Sequence, residues 1–223
     1  MSGYKQKPVL AVFDFDGTIT YFDSLLPFLR SISGPGKFAG KLLLCGPAFL
    51  AFGCGLITPE SAKVRVLKRF LGAVAEAELA SQAESYASGK LKRLVKAEAM
   101  DRIRWHQARG DRTVVLSASL QDYIRPWARS EGISDVVCTR LRCADGRIMG
   151  DLDGPNCRGE EKVRRLKEAF GDLSQYEIYA YGDSRSDRAV LCLAQHRFYR
   201  SFEPKSLRAK VRKYLLLWRA ITK

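Results

Sequence analysis

The stretch VLAVFDFDGTIT, residues 9–20, decides how the chain is read. Val9 to Phe13 form a short continuous apolar run, the pattern of a strand buried on both faces. The run ends in Asp14, Phe15, Asp16, Gly17 and Thr18. Residues i and i+2 of a strand point to one face, so an extended Asp14–Asp16 sets two carboxylates side by side. That is costly unless a cation or a proton relieves it. Gly17 lets the chain turn at once, and ligands of open parallel sheets bind beyond the carboxyl ends of the strands. The two acids therefore stand where a ligand is expected. Taken alone, the pair also fits one acid capping a helix and the other in solvent.

Working outward, Thr113–Ser117 is a second strand-like run, after the turn signal Arg109-Gly110-Asp111, and Glu177–Gly182 is a third. Val163, Leu166 and Phe170 recur at helical spacing, as do Val190, Leu193 and Ala194. Strands alternating with helices predict an α/β fold with a Rossmann-like parallel sheet. Residues 21–91 break the rhythm. They hold no clear strand, and Val64, Leu67 and Leu71 share one helical face. Leu91, Leu94 and Val95 read as the start of a further helix. The expected organisation is a core of residues 1–22 and 92–223 with a helical cap, 23–91, inserted in it. Within 136–153, Asp145-Gly146 between two β-capable runs predicts a hairpin.

Bulk properties narrow the function. The chain has 223 residues, 46% of them apolar, enough for a packed core and without the signature of disorder. Lys plus Arg number 38 against 24 Asp plus Glu, a net +14 that attracts phosphates, nucleic acid or acidic lipid. The same charge also fits a merely solvated basic surface. Six cysteines without CxxC spacing and only two histidines argue against zinc and against a disulfide framework. The N-terminus reaches its acids too early for a signal peptide. The expected location is the cytoplasm, either free or peripheral at the inner face of the membrane.

Two apolar segments bear on that alternative. Leu42–Pro59 is uncharged but interrupted by Gly46, Pro47, Gly53, Gly55 and Pro59, so two short helices fit better than a span. They either pack inside the cap or dip into a lipid interface. At the C-terminus, Leu207, Val211, Tyr214, Leu215 and Trp218 make one stripe, with Lys210, Arg212, Lys213 and Arg219 elsewhere around the helix. That helix either packs on the sheet or contacts an anionic membrane.

The other strand ends carry chemistry too. The second strand ends in Ser117-Ala-Ser119, and the third in Gly182-Asp183-Ser-Arg-Ser-Asp187. Lys162 opens the helix after Asn156-Cys-Arg-Gly159. Each alone has a structural explanation: an end-of-strand hydrogen bond, a surface lysine, a turn with an N-cap. Together and in this order they resemble the haloacid-dehalogenase-like hydrolase superfamily, most of whose members are phosphatases. The insert after the first motif, the run Gly154–Lys162 and the segment Arg197–Leu207 look like its phosphoserine-phosphatase-like branch. Some members with an apolar insert act on the lipid precursor phosphatidylglycerophosphate, so a phospholipid head group is the alternative to a small soluble phosphomonoester.

The resemblance implies roles. Asp14 is the nucleophile that forms an aspartyl-phosphate, and Asp16 the acid and base. Thr18 holds Asp16 in place. Ser117 and Lys162 bind the transferring phosphoryl group. Mg²⁺ is held by Asp14, Asp16 through its backbone carbonyl, and Asp183, with Asp187 supporting that shell. Asp23 lies nine residues after Asp14, where phosphoserine phosphatases carry a substrate-recognising glutamate. It serves equally as a helix N-cap. Lys63, Arg65 and Arg69 are the candidate cap cations. Nothing resembles an aromatic-studded RNA-binding sheet or a helix-turn-helix reader, so no nucleic-acid partner is expected, and a silent basic binding module is the remote alternative. The sequence does not indicate an oligomeric state.

Overall fold

The computed structural model describes residues 7–202. The expected C-terminal helix over 205–223 lies outside the described residues. Among them the strands are β1 (Val9–Phe13), β2 (Arg112–Leu120), β3 (Asp135–Thr139), β4 (Leu141–Ala144), β5 (Arg147–Leu152), β6 (Glu177–Gly182) and β7 (His196–Tyr199). The helices are α1 (Leu25–Ser33), α2 (Pro35–Leu44), α3 (Gly46–Gly53), α4 (Pro59–Leu71), α5 (Glu76–Ser88), α6 (Ala97–Ala108), α7 (Gln121–Ser130), α8 (Glu160–Phe170) and α9 (Arg188–Leu193).

The main sheet runs β3-β2-β1-β6-β7 with every pairing parallel, the expected Rossmann-like core. β1 is central and alternates between two apolar layers, as a period of two requires. Ala11 and Phe13 pack with Ile103 of α6 and Trp127 of α7. Leu10 and Val12 face Leu166 of α8 and Val190 of α9. All four of these β1 side chains are buried, which is why the run reads as continuously apolar.

The insert is helical, α1 through α5. The chain leaves the sheet layer at Thr20 and returns at Val95, and these two crossings bridge each other. Tyr21 N–H donates to Leu94 O at 2.9 Å and Lys96 N–H to Ile19 O at 2.9 Å. Leu91, Leu94 and Val95, read from the sequence as the start of a helix, begin only a single 3-10 turn and not an α-helix. Leu91–Leu94 is one tight turn that brings the chain back to this bridge, and α6 starts only at Ala97.

The predicted hairpin is β4–β5, turning at Asp145 and Gly146 with φ of +50° and +68°. Two consecutive positive φ angles match the twist of the flanking strands. Val136–Thr139 belongs to the main sheet instead, as part of β3. The hairpin is sequence-distant from the cap helices but packs on them. Ala75 bridges Arg147, Arg147 Nη1 donates to Ala73 O at 2.8 Å, and Lys68 pairs with Asp151 at 2.9 Å. Gly150 makes the approach possible: its φ is +76°, and a Cβ there would lie 2.5 Å from Lys68 Cα. Gly150→Ala is expected to cost about 1–3 kcal/mol of stability through strain and displacement of α4, read by chemical denaturation. An unchanged midpoint would show that the hairpin does not brace the cap.

Candidate active site

The site forms where β1, β2 and β6 end. Asp14 extends the β1–β6 pairing by one bond, its N–H donating to Tyr181 O at 2.9 Å. The chain then makes one wide turn over Phe15–Ile19, closed by Thr20 N–H on Phe15 O at 2.9 Å. Gly17, at φ +78°, lets this turn approach β6: a Cβ there would meet Asp183 Oδ2 at 2.3 Å. Lys96 braces it from the returning chain by donating to Gly17 O.

The two acids do not stay side by side. The Asp14 carboxylate turns to Lys162 at the start of α8, with Nζ to Oδ1 at 2.6 Å. Asp16 turns toward the cap. Its Oδ1 accepts from Ser24 N–H at 2.8 Å and its Oδ2 from the Ser119 hydroxyl. Their mutual repulsion is thus eased by divergence onto separate donors. The resemblance implied that Thr18 holds Asp16; instead it contacts Asp14. Its hydroxyl donates to Asp14 Oδ2 at 3.4 Å, because the wide turn carries it back over the strand end.

Lys162 is buried and shared, with Asp187 Oδ1 also at 2.6 Å from Nζ. Asp187 Oδ2 accepts from Asp183 N–H, Ser184 N–H and Ser184 Oγ at 3.2, 3.0 and 2.8 Å. Gly182 leaves room for this: a Cβ there would sit 2.5 Å from Asp187 Cβ. Ser117 is buried in β2 where its ladder with β3 is interrupted, and its Oγ accepts from Ser119 N–H at 3.0 Å. β2 pairs with β3 at Ser117 and again at Leu120, so Ala118 and Ser119 bulge out of the ladder. Bulges of this kind re-aim groups at sites. Here Ala118 O accepts from Lys63 and Ser119 Oγ reaches Asp16.

Lys63 is the cap cation that enters the site. From α4 it also donates to Asn156 Oδ1 at 2.9 Å. Arg65 and Arg69 point elsewhere, lining an outer cavity with Leu44, Pro47 and Lys68. Asp23 behaves as a cap: its Oδ1 accepts from Leu25 and Leu26 N–H at 3.0 and 3.4 Å. Ser24, Ser119 and Lys96 were not singled out from the sequence. The only available signal was Ser119 sitting two residues after Ser117.

The electrostatics follow from burial and pairing. Burial pushes the Asp14 carboxyl up to about 7 from its ordinary 3.8, against the pull of Lys162. Burial and then the charge of Asp23 raise Asp16 to about 6, against the bonds from Ser119 and Ser24. Asp183 is raised by burial and by Asp187. For Asp187 burial is outweighed by Lys162 and the Ser184 donors, which hold it below the usual carboxylate range. Burial also opposes the Lys162 charge, but Asp14 and Asp187 prevail and raise it. Burial lowers Lys63 to about 8, with Asp16 and Asp23 resisting.

Asp14, Asp183 and Asp187 each offer an oxygen, all within 4.8 Å of one another. Three carboxylates around one ammonium leave negative charge uncompensated, and beside burial, the larger cause, Asp187 adds to the rise of both Asp14 and Asp183. An all-oxygen donor set of this kind fits a hard divalent cation such as Mg²⁺. Nothing among these groups is soft enough to favour zinc or copper.

A family model described as haloacid dehalogenase-like hydrolase matches residues 11–191. The chain belongs to the haloacid dehalogenase-like hydrolases, and its architecture is that of the phosphoserine-phosphatase-like branch. Protein CicA of Caulobacter vibrioides is 37% identical over 200 residues, 89% of each chain. Among solved structures, a protein of unknown function from Bordetella pertussis Tohama I aligns with a TM-score of 0.74 at 27% identity, covering 83% of this chain and 86% of that one. A phosphoserine phosphatase solved as a phospho-aspartyl intermediate analogue shares the fold at a TM-score of 0.54 and 19% identity, covering 85% and 84% of the two chains.

The Asp14 shift has a thermodynamic consequence. A carboxyl whose folded value, about 7, exceeds its ordinary 3.8 favours folding in its protonated form. Its contribution is present at low pH and is lost as pH rises toward 7. Without metal, Asp14→Asn should therefore gain stability relative to the parent between pH 4 and 8, measured by paired urea titrations. A difference that is flat with pH would contradict the assigned shift.

Proposed function

We propose that the protein is a Mg²⁺-dependent phosphomonoesterase that works through a phosphoaspartate on Asp14. The observation that carries this reading is the buried Lys162 ammonium set between Asp14 and Asp187, with Asp183 converging on the same point. A phosphate monoester resists attack because ester and nucleophile are both anionic. Asp14, Asp183 and the Asp16 backbone carbonyl, with Asp187 in support, would hold Mg²⁺, which would supply charge neutralisation for the phosphoryl group.

The chain's own residues do the rest. An ammonium has three N–H donors, and Lys162 commits two to Asp14 and Asp187. The third, with the Ser117 hydroxyl, takes phosphoryl oxygens. A carboxylate oxygen of Asp14 forms the new P–O bond as the ester P–O bond breaks. The departing alcohol oxygen receives a proton from Asp16. Water then attacks phosphorus, gives its proton to Asp16, and frees Asp14 and inorganic phosphate. A carboxyl raised to about 6 is placed to serve as acid and then base near neutrality.

The substrate we favour is a small soluble phosphomonoester met in the cytoplasm, a setting that suits the six free thiols. Polar groups wall the space beside Asp16: Ser24, whose Oγ lies 2.9 Å from Tyr123 Oη, and Lys63 from the cap. Lys63 is the group placed to contact an acidic or hydroxylated leaving group.

Asp14→Asn is expected to abolish phosphate release from an aryl phosphate in the presence of Mg²⁺, and unchanged turnover would overturn the reading. Asp16→Asn should cut turnover of an alkyl phosphate by roughly 100- to 10,000-fold and that of an aryl phosphate, with its better leaving group, far less. Equal losses on both would remove Asp16 from the proton-transfer role.

A further inference from the structure

The cap carries a surface that neither fold nor catalysis explains. Leu42–Pro59 does not hold two helices of its own: it spans the end of α2, all of α3 and the turn into α4, and apart from Cys45, Ala48 and the partly buried Leu42 it does not pack as cap core. No residue of α2 is fully buried, and in α3 only Ala48 is. Leu43, Leu50 and Leu56 are 80, 72 and 77% exposed, and Leu44, Phe49 and Phe52 are exposed beside them. No helix among the described residues is long and apolar enough to cross a bilayer.

Charge indicates what covers it. No Asp or Glu occurs between Asp23 and Glu60, while Arg30, Lys37 and Lys41 do. A groove of 740 Å³ against α1 and α2 is lined by Leu26, Phe38 and Leu42 with Arg30 and Lys90. On the other side, the 410 Å³ cavity beside Leu44 and Pro47 is lined by Arg65, Lys68 and Arg69. Lys68 is paired with Asp151, but Arg30, Lys37, Arg65 and Arg69 have no acidic partner among the described residues. An apolar face rimmed by unpaired cations suits a surface that is apolar within and anionic at its border. A second copy of a chain with net charge +14 would bring like charges together at that rim. The basic segment 205–223 would do the same.

We propose that the face formed by α2, α3 and the turn through Leu56 docks on an anionic lipid bilayer, with its leucines and phenylalanines at the headgroup–acyl boundary and Arg30, Lys37, Arg65 and Arg69 against lipid phosphates. Apolar area and attraction to anionic lipid act together in such interfacial binding. The contact is independent of the phosphatase reading and of the substrate, because none of these residues belongs to the catalytic cluster.

The test is co-sedimentation of the full chain with vesicles of phosphatidylglycerol and phosphatidylcholine, against vesicles of phosphatidylcholine alone. The protein should pellet with the anionic vesicles and be released at about 0.5 M salt, where surface charges are screened. Leu43→Ser/Leu50→Ser should lower partitioning roughly tenfold while keeping its melting temperature and any turnover of an aryl phosphate. If that variant fails to fold, Leu56→Ser, at a single exposed turn position, should weaken partitioning in the same direction. Failure of the parent to pellet overturns the proposal. So does parent-like pelleting of the leucine variants, which would assign the contact to residues 203–223. A parent that sediments as a dimer and a leucine variant that sediments as a monomer would also overturn it, with a second copy as the occupant.

Discussion

The site depends on one ammonium. Lys162 lies buried at the start of α8, 2.6 Å from both Asp14 and Asp187. Removing three charges from water is tolerable only when they satisfy one another. Here the remaining acceptors of Asp187 are filled by the Asp183 and Ser184 donors. Lys162 thereby ties together three pieces of chain that are remote in sequence: the end of β1, the start of α8 and the turn after β6. The orientation of the Asp14 carboxylate and the convergence of Asp183, whose N–H donates to Asp187, both follow from that tie.

A second layer of constraint comes from close backbone approaches. Gly17 and Gly182 stand where a Cβ would strike Asp183 and Asp187, so the acidic cluster can gather around β1 and β6. Gly150 performs the same service for the cap by letting β5 press on Lys68. The bulge at Ala118-Ser119 links the two layers, since one of its residues meets the cap lysine Lys63 and the next meets Asp16. Cap position and Asp16 orientation are thus set at one place.

Much of this was legible before any coordinates. β1 reads correctly because it is buried on both faces, and the hairpin because Asp145-Gly146 demands positive φ. Asp14, Lys162, Asp183 and Asp187 come together as their positions at strand and helix ends implied. What stayed hidden depended on contacts distant in sequence. Ser24 and Ser119 acquire meaning only once a cap helix and a bulge face each other across Asp16. Lys63 could not be told from Arg65 and Arg69, because spacing groups residues by helix face without saying which face meets the site. The partner of Thr18, Asp14 rather than Asp16, is hidden because the wide turn after Asp14 carries no local signature beyond Gly17. The exposure of α2 and α3 was hidden for a related reason: an uncharged apolar run looks the same whether it is packed against protein or left facing outward.

The most direct test of the shared ammonium is equilibrium unfolding of Lys162→Met beside Lys162→Met/Asp187→Asn at neutral pH without metal. Stranding Asp14 and Asp187 without their cation should cost about 3–5 kcal/mol, and neutralising Asp187 should recover a large part of it. A Lys162→Met protein as stable as the parent, or a double variant no more stable than the single one, would mean that this buried pairing does not organise the site.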